Sequence, residues 1–198
     1  LLFLSKLQND QTVHSVVERG LPSLANALSS DSDDIVAPVA EILENITRVK
    51  TEFGRAVPRL MPLFERLLSS RSTCPAVANC IVQGLTLTPT SEAIRATIIQ
   101  LEYAPILRFF KADGLAPKEC AVSLMTAFRP NEDDIHALAS LGIAGPLVDA
   151  LQSNAIKTIA EAIALCQRFI IYNEVKDLRW DRMTRRVVDL VRVSGMAK

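Results

Sequence analysis

The chain has 198 residues, with 22 Lys and Arg against 22 Asp and Glu, so no net field draws it to nucleic acid or to an anionic membrane surface. Apolar residues make up 49% of it but aromatics only 5%, and Gly occurs seven times, a mix that favours packed helices over a turn-rich β fold. No apolar run reaches the ~18–20 residues that span a bilayer, and the opening LLFLSKLQ is too short for a signal-peptide core.

In chain order, FLSKL (Phe3–Leu7) reads as the end of a helix whose beginning is missing. With no initiator Met, the expectation is a piece of a longer protein. Asn9–Gly20, NDQTVHSVVERG, predicts a short helix over about Asp10–Arg19, closed by Gly20 as a C-terminal cap. A second helix follows at Leu21–Leu28, with Pro22 in its first turn, where a missing N–H costs little. SSDSDD then offers Ser and Asp caps for a longer helix over Asp34–Val49. In it, Ile35, Val39, Ile42, Leu43 and Ile46 form a buried stripe, and Pro38 lies one turn inside.

This short–short–long order recurs. Val13, Phe53, Ile94 and Ile135 form one ladder, with gaps of 40, 41 and 41 residues; Leu24, Phe64, Leu107 and Leu147 form another, with gaps of 40, 43 and 40. The opening stretch itself returns 122 residues later as NEDDIHALASLG, Asn131–Gly142. SSRSTCP, KADGLAP and LQSN supply the later breaks, with Pro75 and Pro117 near helix starts. Two ladders with one period define repeats at about 9–49, 50–89, 90–130 and 131–172, with partial repeats at 1–8 and 173–198. A unit of this size buries its apolar faces only by stacking on the next, so the core is expected to run along a single array.

The GLPSLANAL-type second helix, EILENIT at Glu41–Thr47 and the Asn…Ile/Val…Gly first helix resemble the armadillo repeat. The resemblance covers nearly the whole chain and implies an all-α, right-handed α–α superhelix whose third helices line a concave groove. It also implies a partner: a helical or extended segment of another protein, or a domain of the same polypeptide, held without catalysis. The family's import receptors carry an Asn on each third helix, with a Trp one turn earlier. The corresponding register reads Lys6, Asn45, Gly84, Ala127 and Arg168, preceded by Glu41, Cys80, Ser123 and Ala164. Only Asn45 matches and no Trp is present, so a basic import peptide is not the expected ligand. The groove expected here is lined by Glu41, Asn45, Arg48, Cys80, Gly84, Ser123, Ala127, Ala164, Arg168 and Tyr172. It would be smooth in the middle, and polar or charged at both ends.

Catalytic chemistry finds little in the sequence. His14 and His136 share one register three repeats apart, ~30 Å at about 10 Å per helix layer, too far to share a proton or a metal ion. Cys74, Cys80, Cys120 and Cys166 lie apart and read as reduced core thiols of an intracellular protein, expected in the cytoplasm, with the nucleus or the cytoskeleton as alternatives. The acids of DSDD and NEDD suit helix first turns, where they complement the macrodipole. No catalytic residue, metal site or cofactor is expected. An alternative reading takes the C-terminal segment, with Arg179, Trp180, Arg182 and Arg186 on a basic amphipathic helix, as an RNA contact. Overall neutrality argues against it.

Overall fold

A computed structural model describes residues 14–30, 32–48, 50–87 and 90–171, with the backbone alone at 17 and 50–57. Among these residues the chain is all-helical, with no strand. It divides into two compact units, Leu1–Phe109 and Phe110–Lys198. FLSKL, Val13, Tyr172 and the whole segment from 173 onward, with Arg179, Trp180, Arg182 and Arg186, lie outside the described residues.

In the first unit, a π-helical turn (Val16–Gly20) runs directly into α1 (Leu21–Ala27). Gly20 therefore does not cap a helix as its place in the sequence suggested. It is right-handed (φ −91°), and a Cβ there would lie 3.3 Å from Val16 Cγ1, so its use is close packing. α2 (Asp33–Arg48) follows, carrying two acids in its first turn and Pro38 within it. Its buried stripe is Val36, Val39, Ala40, Ile42, Leu43, Ile46 and Thr47. Ile35 shares the side of Val39, Ile42 and Ile46 but sits in the first turn of the helix and is 38% exposed.

The second repeat departs from three pieces. α3 (Lys50–Ser69) is one continuous 20-residue helix through Pro58 and Pro62. The corner register of the other repeats falls here on Met61, and the chain runs on helically through it. α4 (Pro75–Thr86) opens with Pro at its first position and packs along α2, so the long helices of successive repeats lie side by side. α5 (Thr90–Gln100) packs on α3 and α4. It turns through Leu101–Tyr103 into α6 (Ala104–Lys111).

In the second unit, α7 (Leu115–Phe128) follows Gly114 at φ +89°. α8 (Glu132–Ser140) and α9 (Ala144–Asp149) meet at a 97° bend. A 3-10 turn (Ala150–Gln152) leads to α10 (Ile156–Ile171), which packs on α7.

The corners of repeats three and four are one motif. Ile143 N–H donates to Leu138 O (3.3 Å) and Gly142 N–H to Ala139 O (2.9 Å), with Gly142 at φ +79°. Forty residues earlier Tyr103 N–H donates to Ile98 O (2.9 Å) and Glu102 N–H to Ile99 O (2.9 Å), with Glu102 at φ +50° and Tyr103 at φ +61°. Both have the bond pattern of a Schellman cap, and Glu102 holds the place that Gly takes later.

The apolar ladders are core. Leu24, Phe64, Leu107 and Leu147 are all buried, as are Ile94 and Ile135; the Phe53 side chain lies outside the described set. No single described helix is long and apolar enough to cross a membrane. α8 and α9 pass such a test only jointly and across their bend, and their Ile135, Leu138, Leu147 and Leu151 are buried.

Candidate functional site

Polar side chains tie elements one period apart. In the first unit, Arg59 Nη1 donates to Glu18 Oε1 (2.7 Å) across 41 residues. Arg66 Nη1 donates to Ala25 O (2.5 Å) and to Ser29 Oγ (2.7 Å), closing the C-terminal end of α1. Arg108, 42 residues after Arg66, does the same for α3: it donates to Leu67 O (3.0 Å), Leu68 O (2.9 Å) and Ser70 O. Its guanidinium also lies 5.1 Å from the Phe109 ring centre. Burial lowers the Arg108 guanidinium to about 10, well above neutrality, so it stays charged against the carbonyl ends of α3. In the second unit, Arg168 on α10 donates to Pro130 O at the end of α7.

These ties reassign several residues expected to line the groove. On α2, Glu41 and Arg48 are exposed and Asn45 is half-buried; Arg48 Nη2 pairs with Glu44 Oε1 at 2.6 Å. Cys80 and Gly84 do not face outward. Cys80 is 0% exposed, and a Cβ on Gly84 would meet Ile94 Cδ1 at 2.4 Å and Phe64 Cε1 at 2.8 Å. Gly84 is the point where α4 presses on α3 and α5, and no side chain fits between them. Arg168 is turned onto Pro130 O and is half-buried. Ser123 and Ala127 on α7 are half-buried, and Ser123 Oγ donates to Glu161 Oε2 on α10 (3.4 Å). Ala164 is exposed.

α10 also shows what the sequence reading missed. Its buried residues, Thr158, Ile159, Ala162, Leu165, Cys166 and Phe169, take one face. On nearly the opposite face Ile156, Ala160, Ala164, Gln167 and Ile171 are all exposed, at spacings of four, four, three and four. Ile156 is 82% and Ile171 74% exposed, the two most exposed large apolar side chains among the described residues. The signal was present in IKTIAEAIALCQRFII, which is apolar on both sides where a surface helix has one polar side.

The histidines and thiols have structural surroundings. His136 Nε2 lies 3.8 Å from Glu132 Oε1 one turn away, and His14 is exposed. None of the four cysteines forms a disulfide; Cys80 and Cys166 are buried, whereas Cys74 and Cys120 are half-buried and so are not core residues. Burial pushes the Cys80 thiol far up and the Cys166 thiol up to about 12, which leaves neither as a thiolate at neutral pH. The acids of NEDD build a cap: Asp134 N–H donates to Asn131 Oδ1 and Asn131 N–H to Asp134 Oδ2, both at 2.8 Å. Among the described residues no group of three or more His, Cys, Asp or Glu is placed to hold a metal ion.

Compared with protein-family models, curated proteins and solved structures, the chain matches none.

Proposed function

We propose that this chain is a non-catalytic protein-binding segment, an α-solenoid of the armadillo kind, which takes a helical or extended partner segment on the outward face of its long third helices. The observation that carries this reading is the exposed strip on α10: Ile156, Ala160, Ala164 and Ile171. Apolar side chains left in water on one helix face, with small residues between them, suit a partner that lays its own apolar face along the strip. The periodic arginine ties support a repeat array, because each links an element to its counterpart one repeat earlier.

A photo-crosslinking amino acid placed at Ala164 tests the proposal, with the same group at exposed Ala96 on α5 as the control. The expected outcome is one protein crosslinked from Ala164 in cells and absent from Ala96. Equal labelling from both positions would remove the α10 face as the site.

A further inference from the structure

We propose that the first unit carries a phosphate-binding cleft, formed where the C-terminal ends of α1 and α3 meet. The cleft has a volume of about 420 Å³, within the range of roughly 300–1,000 Å³ typical of ligand sites. Its wall holds Arg66, Arg71, Ser29, Ser30, Ser69 and Ser70, with Leu28 as the apolar part. Among the described residues that is two guanidiniums and four hydroxyls, with no carboxylate; Asp31, next to Ser30, lies outside them. The serine pairs are the same position in successive repeats, 40 residues apart, so stacking the repeats brings four hydroxyls to one place.

Helix C-termini ordinarily repel anions through their free carbonyls. Here those carbonyls are covered. Ala25 O accepts from Arg66, and Leu67 O, Leu68 O and Ser70 O accept from Arg108, so the negative ends are neutralised from behind. Arg66 uses Nη1 in its bonds to Ala25 and Ser29, and Arg71 is exposed, with no ion pair to a described residue. The acids of the α2 first turn, Asp33 and Asp34, do not line the cleft. Ser29 Oγ and Ser70 Oγ donate to Ala25 O (3.3 Å) and Leu67 O (3.0 Å), so the hydroxyl protons left for a ligand are those of Ser30 and Ser69. Two forked cations beside two hydroxyl donors are the chemistry that recognises a phosphomonoester dianion. This site is separate from the α10 strip and does not rest on the protein-binding reading.

The test uses the 198-residue chain and inorganic phosphate, titrated at ionic strength held constant with sodium chloride. Thermal unfolding and calorimetry read the binding. A saturable rise in Tm with phosphate, absent with chloride, is expected. Arg71→Ala should weaken the affinity about tenfold, the loss of one charge-assisted contact. Its Tm without phosphate should be unchanged, because Arg71 ties nothing together, and Ser30→Ala should show a smaller loss. A phosphoserine peptide and its unphosphorylated twin separate the sources. Binding at least about tenfold tighter than inorganic phosphate, by the phosphorylated peptide alone, assigns the cleft to a phosphorylated side chain; equal binding assigns it to free phosphate. No saturable shift, or the same affinity in the wild type and in folded Arg71→Ala, overturns the proposal.

Discussion

Gly84 shows how a single position decides between core and surface. A Cβ there meets the Ile94 and Phe64 side chains at less than contact distance, so Gly84→Ala should destabilise the fold by about 1–3 kcal/mol, despite the higher helix propensity of Ala. Ile94→Val removes the closest atom. The double variant should therefore lose less than the sum of the two single losses in chemical denaturation, and strict additivity would mean that the close approach does not exist. The sequence placed Gly84 in a groove because gaps of 39 and 43 residues were read as equivalent registers. A slip of one residue rotates a helix face by ~100°, and the period alone does not fix that rotation. The thiols give a second check at this scale. Cys74 and Cys120 should react with a maleimide in the native protein, and Cys80 and Cys166 only after unfolding. Burial holds the Cys80 and Cys166 thiols above the ordinary thiol value of 9.0, so their contribution to stability is complete below about pH 9. It is lost as pH rises from there towards 12, because the unfolded thiols ionise first. Stability in urea should fall over that window, and less so in Cys166→Ala.

Helices were the most legible elements. Asp34–Val49 and Leu21–Leu28 were expected, and Asp33–Arg48 and Leu21–Ala27 are found, because caps, prolines and apolar spacing agree at those ends. The fused α3 was not legible, because the apolar ladders keep one period whether or not a corner interrupts the helix. The left-handed turn at Glu102 was hidden too, since no residue type marks it. Arg66 and Arg108 were passed over because the ladders counted apolar positions alone, yet their 42-residue spacing was there to see. The α8 cap was readable as acids in a first turn; that Asn131 and Asp134 bond reciprocally appears only in three dimensions. Asn131→Ala should cost about 1–2 kcal/mol, since it also leaves the buried Asp134 backbone N–H without its acceptor. Asn131→Asp should lose far less, as measured by thermal unfolding, because Asp supplies the same acceptor.

At the scale of the molecule, composition and period foretold an all-helical chain, which the described residues are, and the six ladder positions whose side chains are described are buried. The surface was less legible, because a period locates residues along an array without saying which of them remain in water. Exposure on α10 comes from packing: Cys166 and Phe169 turn inward, and this leaves Ile156 and Ile171 outside. The central claim is that this strip takes a protein. The most direct measurement is affinity enrichment from a source-cell lysate, with and without nuclease, comparing the wild type with the double variant Ile156→Glu, Ile171→Lys. Both changes suit the helix macrodipole at their own ends and leave the core untouched, so the variant should melt with the wild type. The account predicts a protein partner that is retained after nuclease and lost from the double variant. Recovery that ignores the variant but collapses with nuclease would contradict it, and would move the site to nucleic acid and to the basic segment holding Arg179, Arg182 and Arg186.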